Sequence, residues 1–455
     1  MAYTNLFFIF GFLPLSWIGY RLCPGAKAKN IFLLLVSWLF YAWSRWDALL
    51  VLLIVTIWCF ACGRQIESMA QNEDPKRKIM IAVSVSFLVL ILFVYKYVNG
   101  WLHVSLPLAM PLGLSFYIFS ALSYIGDVAM KKVPCQNSFL DLGLYIGFFP
   151  KLIMGPISEY RDFKDQLQER TITAADLSSG TLLFMKGLVK KVVLADSLAV
   201  FVSMLQDQTT FVGTWVLALS YTFQLYFDFS GYSDMAIGIG RWFGFDIPKN
   251  FDHPYIADSV QNFWRRWHIS LSTWFRDYVY IPLGGSRVAV PLIVRNIVIV
   301  WVLTGIWHGA NATYIVWGVY YALLLLGERF FFKPVLARIP RPVRIVLIFL
   351  IANAGWVFFA APSISQAFVR LGCMSGIASG FADAQALFAL GQAKWLLLFS
   401  MIASTPAIDT VQNWIFARFG RNGMVGLAGV YCVLFAACIS LLVASTSQTF
   451  LYAAF

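Results

Sequence analysis

The chain has 455 residues, of which 60% are hydrophobic and only 12% charged; a soluble globular domain carries about 25% charged residues, so a soluble fold is excluded. Its net charge of +12 is spread over the ends of apolar runs with no single basic stripe, which argues against a nucleic-acid surface. The seven cysteines are scattered through apolar segments, and the lone pair Cys59-Phe60-Ala61-Cys62 has no second pair, so neither a disulfide framework nor a metal site is expected.

The first apolar run, 5–21, has no Lys or Arg before it and Arg21, Lys27 and Lys29 after it. Ala26-Lys27-Ala28 has the form of a signal-cleavage site, but this order of charge and apolar run predicts a retained first span with its N-terminus outside. Further candidate spans lie at 30–44, 47–63, 79–98, 107–126, 179–204, 211–227, 291–307, 312–332, 343–361, 395–412 and 424–445. Several are short or carry Pro or Gly and are expected to tilt, break or re-enter, which leaves about 11 spans of roughly 20 residues. The expected fold is all-α, a polytopic membrane bundle forming a single membrane-embedded domain over residues 1–455. Lys and Arg cluster in alternate loops: Lys76-Arg77-Lys78, Lys131-Lys132, Arg329 with Lys333, Arg338 to Arg344, and Arg418 with Arg421. The stretches 98–106 and 204–212 have none, and 362–394 has only Arg370 and Lys394. This asymmetry predicts that the basic loops are cytoplasmic.

Residues 226–240 set Asp228 and Asp234 beside a span, with Ser230 and Ser233 between them. These carboxylates are candidates to hold a cation, to orient a histidine, or to pair with Arg241, Arg265 or Arg266. No strand precedes Gly238 and Gly240, so they form no dinucleotide fingerprint, and no P-loop, H-E-x-x-H or G-x-S-x-G motif occurs.

Residues 264–278, projected at the helical angle, carry Trp264, Trp267, His268, Leu271, Trp274, Phe275 and Tyr278 on one arc. Arg265, Arg266, Ser270, Thr273, Arg276 and Asp277 fall opposite, and Ile269 is the exception. This predicts an amphipathic helix lying in the interface, ended by Tyr280 to Gly285. Pro291 to Phe330 as one straight helix would be ~60 Å long, twice the hydrocarbon thickness. A break is expected at Gly309-Ala310-Asn311, which puts His308 where one helix ends and another begins.

The chain has four histidines, and His308 and His268 stand in apolar sequence. An ionisable group within a membrane is a functional candidate by default, and imidazole moves protons near neutral pH. Each also has a purely structural reading: His308 as a hydrogen-bonded lock between helices, His268 as an interface residue. His103 and His253 read as structural. An enzyme with a buried site and a proton-coupled transporter both fit this pattern.

Three blocks carry a specific resemblance: Tyr226–Gly238; Phe263-Trp264-Arg265-Arg266-Trp267-His268 through Gly285; and Gly305-Ile306-Trp307-His308-Gly309. With Ser37–Trp43, Pro111–Tyr117, Phe149–Ile157 and the ending Phe450–Phe455, the chain resembles the membrane-bound O-acyltransferase family, in the bacterial branch that includes alginate O-acetyltransferases. It departs from the family pattern by a short connection between Gly285 and Arg295, and by His253, which leaves the substrate open. The resemblance implies a helix bundle around a central funnel or channel leading to a buried histidine, matched here by His308, with His268 as the second family histidine. It implies an integral-membrane O-acyltransferase that moves an acetyl group from a cytoplasmic thioester, acetyl-CoA or another acyl thioester, to an extracytoplasmic partner protein or glycan. Transfer of a D-alanyl group to teichoic acid is the alternative.

On this expectation His308 is the general base and His268 orients or relays. Asp228 or Asp234 fixes a ring tautomer, Asn311 or backbone donors hold the oxyanion, and Trp307 lines a narrow cavity that reaches His308 from both faces. No bound cofactor, metal or nucleic acid is implied; the setting is the bacterial inner membrane and its lipid. Cysteines introduced at 263 and 280 are expected to label from the same side of the membrane, and labelling from opposite sides would refute an interfacial segment.

Overall fold

Backbone within a bilayer must bond to itself, so the apolar runs fold as helices, and caps, Pro and Gly set their ends. The structure is a computed structural model that describes residues 2–101, 109–377 and 380–444, and every regular element among them is a helix. His103 and the aromatic ending at 450–455 lie outside the described residues. The chain divides into two interleaved units, Met1–Phe184 with Tyr232–Lys249, and Met185–Gly231 with Asn250–Phe455.

The first unit holds α1 (Leu13–Leu22), α2 (Gly25–Ala42), α3 (Trp46–Gln71), α4 (Arg77–Trp101), α5 (Leu114–Ala129), α6 (Phe139–Gly147), the single turn α7 (Phe149–Leu152), α8 (Tyr160–Gln168) and most of α9 (Ala174–Val189). Its interior is aromatic, and several of its buried polar groups find partners nearby. The Tyr3 hydroxyl lies 3.0 and 2.9 Å from the carbonyls of Phe149 and Pro150. Lys151 is buried, donates to Ser120 Oγ at 3.1 Å and sits 4.2 Å from the centre of the Tyr145 ring. A desolvated cation over a ring recovers part of the cost of its burial.

The second unit holds α10 (Asp196–Met204), the first two thirds of α11 (Phe211–Trp242), α12 (Val260–Trp264), α13 (Ile269–Phe275), α14 (Val290–His308), α15 (Ala312–Gly327), α16 (Lys333–Arg338), α17 (Arg341–Ala360), α18 (Ile364–Met374), α19 (Ala384–Ala403) and α20 (Ala407–Ala444). Seven helical segments among the described residues are long and apolar enough to cross a membrane: 46–71, 77–98, 290–308, 312–338, 341–360, 384–403 and 407–444. The apolar helices at 8–22 and 114–129 are shorter. The chain is thus a polytopic all-α membrane protein. Large apolar side chains such as Leu323, Trp395 and Val433 are exposed, as a lipid-facing surface requires.

The span expected at 395–412 is corrected. Hydropathy continues across Ser404-Thr405-Pro406, but the helix stops at Ala403 and α20 starts at Ala407, because proline at 406 cannot extend the ladder. The crossing helix there is Ala384–Ala403. Within α20, Gly420 adopts φ 51° and ψ −128°, so that helix kinks where only glycine is comfortable.

α14 and α15 pack backbone to backbone. A Cβ on Gly305 would lie 2.4 Å from the carbonyl oxygen of Tyr314, and one on Gly318 would lie 2.4 Å from that of Trp301. Small residues at such positions let membrane helices touch. Gly318→Val is expected to force the two helices apart and destabilise the protein by about 1–3 kcal/mol. A melting temperature in detergent equal to wild type would refute the contact.

Candidate active site

The break expected at Gly309-Ala310-Asn311 is present. α14 ends at His308, and Asn311 caps α15, its Oδ1 accepting from the Thr313 N–H at 3.1 Å. The Asn311 Nδ2 donates to the Pro362 carbonyl at 3.0 Å. Both ends of this side chain therefore hold the break together. The bond to Pro362 uses one of the two amide hydrogens. A Cβ on Gly309 would lie 2.8 Å from the Tyr314 ring, so the turn closes tightly over the site.

His308 is 3% exposed. Its ring centre lies 4.7 Å from Trp307, 5.1 Å from Trp317 and 4.9 Å from Phe359, with Tyr314 at 6.2 Å. The contacts to Trp317 and Phe359 are edge-on, the arrangement the aromatic quadrupole favours.

The structure corrects the interfacial helix. Residues 264–278 do not form one helix: α12 ends at Trp264, α13 begins at Ile269, and His268 between them has φ 44° and ψ 55°. The physical cause is Asn250. Its carbonyl accepts from the Ile269 N–H at 2.9 Å, and its Oδ1 accepts from the Ser270 N–H at 3.2 Å and the Ser270 hydroxyl at 2.9 Å. These bonds take over the helix's own partners and turn the chain at His268. Parts of the projected pattern survive the break. Trp264 packs on Trp301 at 4.6 Å, Trp267 packs on Trp356 at 4.6 Å, and Arg265 is exposed. Arg266 donates to the Asp252 carbonyl at 2.9 Å. Ser270 and Asp277, expected on the polar face, are buried.

His268 is 1% exposed, and its Nδ1 lies 3.1 Å from the same Asn250 Oδ1. That oxygen already accepts from the Ser270 N–H, so it can only be an acceptor, and Nδ1 carries the proton. Burial holds the pKa of His268 well below the ordinary histidine range, so the ring is neutral and Nε2 carries the lone pair. Trp307 joins the two histidines, with its ring centre 6.2 Å from that of His268 and 4.7 Å from that of His308.

Asp228 is buried in α11 and accepts from Lys191 Nζ at 2.6 Å; Lys191 also bonds Asp196 at 2.8 Å. A lysine that the sequence reading did not name is thus a partner of Asp228, and the group on the His268 Nδ1 is an amide. Asp234 lies further along the same helix, in the part that belongs to the first unit. His253 bridges the corner between α19 and α20, with Nδ1 3.3 Å from the Ser404 carbonyl and Nε2 3.3 Å from Asp409.

Sequence reasoning missed Asn250, Ser270, Trp317, Phe359 and Lys191. For Lys191 a signal existed, since Lys190-Lys191 interrupts an apolar run. A cavity of about 370 Å³ lies in this unit and is lined by Trp356 and Pro362 among others. Trp356 contacts Trp317 and Phe359, the rings on His308, at 6.0 and 5.8 Å. The cavity thus borders the aromatic wall of the site, and His308 is not among its lining residues.

The model of the MBOAT, membrane-bound O-acyltransferase family matches residues 33–365. The chain is 41% identical to the probable alginate O-acetylase AlgI of Pseudomonas fluorescens over 82% of this chain and 75% of that one. It is 32% identical to the peptidoglycan O-acetyltransferase of Helicobacter pylori over 83% and 80%. It is also 32% identical to the teichoic acid D-alanyltransferase of Bacillus subtilis, over 49% and 60%.

Asn250→Ala is expected to release His268 from its tautomer and lower acyl-donor turnover about tenfold or more, a fraction of the roughly 10²–10⁴ that a positioned base supplies. Asn250→Asp, which keeps the acceptor oxygen, should lose less. Equal rates for the alanine variant and wild type would remove Asn250 from the site.

Proposed function

We propose how a chain that belongs to the membrane-bound O-acyltransferase family, and is therefore an integral-membrane acyltransferase, carries out its transfer. An acetyl group leaves a thioester donor on the cytoplasmic side and is joined to a hydroxyl of a cell-envelope polysaccharide, directly or through a partner protein. The observation that carries this reading is the meeting of two buried histidines on Trp307 at a helix break. Relatives named for O-acetylation of alginate and of peptidoglycan match more than four fifths of the chain, whereas the D-alanyltransferase matches about half. That favours acetyl over D-alanyl. Family membership also decides for an enzyme over a transporter.

In this reading His308 accepts the proton of the acceptor hydroxyl as its oxygen attacks the thioester carbonyl. The carbon–sulfur bond then breaks, and the imidazolium returns the proton to the departing thiolate. His268, kept neutral by burial and held in one tautomer by Asn250, orients or relays through the Trp307 side of the site. The tight aromatic packing around His308 keeps water from the thioester. The basic loops face the cytoplasm, where they attract an anionic donor such as acetyl-CoA. The protein sits in the bacterial inner membrane with its N-terminus outside.

The test is donor turnover by purified protein in vesicles, with acetyl and D-alanyl thioesters supplied in parallel. His308→Ala should lose about 10²-fold or more while keeping its melting temperature. His268→Ala should lower the rate strongly and leave it measurable. Full turnover by folded His308→Ala would refute the mechanism.

A further inference from the structure

Between α13 and α14 the chain is reversed by two glycines in the left-handed region, Gly284 at φ 104° and Gly285 at φ 60°. The Gly285 N–H donates back to the Tyr280 carbonyl at 2.9 Å. Asn296 of α14 donates to the carbonyls of Leu283 and Gly285 at 3.2 and 3.3 Å, which fixes the turn against that helix. Three arginines surround it. Arg287 belongs to the turn, Arg295 of α14 donates to the Leu283 carbonyl at 3.2 Å, and Arg329, just past α15, donates to Ser286 Oγ at 3.5 Å. All three are exposed, and no carboxylate among the described residues lies within ion-pair distance of them. The acidic groups at this end are bonded elsewhere. Glu328 accepts from the Val260 N–H at 2.6 Å, Asp277 pairs with Arg276 at 2.6 Å, and Asp258 pairs with Arg344 at 3.4 Å.

α14 and α15 run antiparallel, with Gly305 against Tyr314 and Gly318 against Trp301, so the start of α14 and the residues past α15 share one end. Both belong to segments that can cross a membrane, 290–308 and 312–338. Large apolar side chains stand exposed beside the arginines: Ile281, Val290 and Leu292 near the turn, and Phe331 and Phe332 next to Arg329. Guanidinium groups without carboxylates, set beside lipid-facing hydrocarbon, mark the level where acyl chains give way to headgroups. With Lys333, Arg338, Arg341 and Arg344 close by in the chain, this is a basic end. The charge rule puts it on the cytoplasmic side, where anionic lipids make the membrane surface negative.

We propose that the 283–287 turn, with Arg295 and Arg329, is a binding site for the phosphate of an anionic phospholipid. Arg287 and Arg329 donate to the phosphate oxygens, and Arg295 adds its charge from the start of α14. The acyl chains lie along the exposed Val290, Leu292 and Phe332. A soluble anion offers the same oxygens, but only a lipid also covers the apolar side chains around them. A phosphate held this way ties the turn, α14 and the end of α15 together. Those are the two helices whose junction carries His308. The site lies outside the proposed transfer chemistry and does not depend on it.

The experiment follows thermal unfolding of the purified full-length protein in detergent as dioleoylphosphatidylglycerol or dioleoylphosphatidylcholine is added. Phosphatidylglycerol is expected to raise the Tm saturably. Phosphatidylcholine, whose phosphate is balanced by its own cation, should leave it unchanged. In the double variant Arg287→Gln, Arg329→Gln the half-saturating concentration of phosphatidylglycerol should rise about tenfold or more. The double variant Arg287→Lys, Arg329→Lys should keep part of the affinity and guards against a folding defect in the first. Lys76→Gln with Lys78→Gln, which removes charge from another basic loop, should respond as wild type. An equal response to the two lipids, or an unchanged half-saturating concentration in the glutamine variant, would overturn the proposal. An equal loss in the Lys76 and Lys78 variant would overturn it too, leaving only diffuse attraction to basic loops. Stabilisation by free coenzyme A that needs Arg287 and Arg329, with none by phosphatidylglycerol, would overturn it in favour of a soluble anion. Each readout is taken without acyl transfer, so the lipid site and the catalytic reading stand or fall separately.

Discussion

Backbone groups in a bilayer have no water to bond, so a membrane helix interrupts its ladder only where other groups take over the bonds. At residues 309–311 they do. Asn311 caps one helix and ties the turn to Pro362, while Gly305 and Gly318 bring α14 and α15 together backbone to backbone. The position of His308 follows from this closure. A bulkier residue at either glycine would move the imidazole away from Trp317 and Phe359, although neither glycine touches it as a ligand would.

The same logic applies at His268, with a different donor of bonds. There Asn250, eighteen residues upstream, supplies both a carbonyl and a side-chain oxygen to the turn. One amide therefore breaks a helix, buries an imidazole and selects its tautomer. A carboxylate in that place would draw the ring toward its charged form; the amide adds no charge, and burial keeps the ring neutral. Asp228 carries the local negative charge instead, and it is neutralised by Lys191.

The local part of this arrangement was legible in the chain. His308, Trp307 and the glycine-flanked break follow from an apolar stretch too long for one crossing, and His268 stands out as an ionisable residue among tryptophans. The all-helical membrane fold follows from composition alone. What sequence periodicity missed was set by distant partners. The 264–278 stripe has the right spacing for one helix, but Asn250 competes for its backbone. The run at 395–412 has the right hydropathy, but Pro406 interrupts it, and a window average smooths over one proline. Asn250 itself carries no periodic signal, since its bonding to His268 and Ser270 is a tertiary event.

The break has one more consequence. A helix that ends at residue 308 and another that begins at residue 312 set opposite poles of two peptide dipoles next to each other. The carbonyl end of α14 carries partial negative charge, and the amide end of α15 carries partial positive charge. In acyl transfer a hydroxyl proton passes to an imidazole while negative charge grows on a carbonyl oxygen. The transition state is thus a short-lived zwitterion. On the mechanism proposed above, its cationic half would form at His308, against the negative pole, and its anionic half at the positive pole a few residues on. Such fixed poles need no reorientation at the moment of reaction. The turn that lets the chain reverse inside the membrane thereby also supplies a field oriented for charge separation, in a site with little water to provide one.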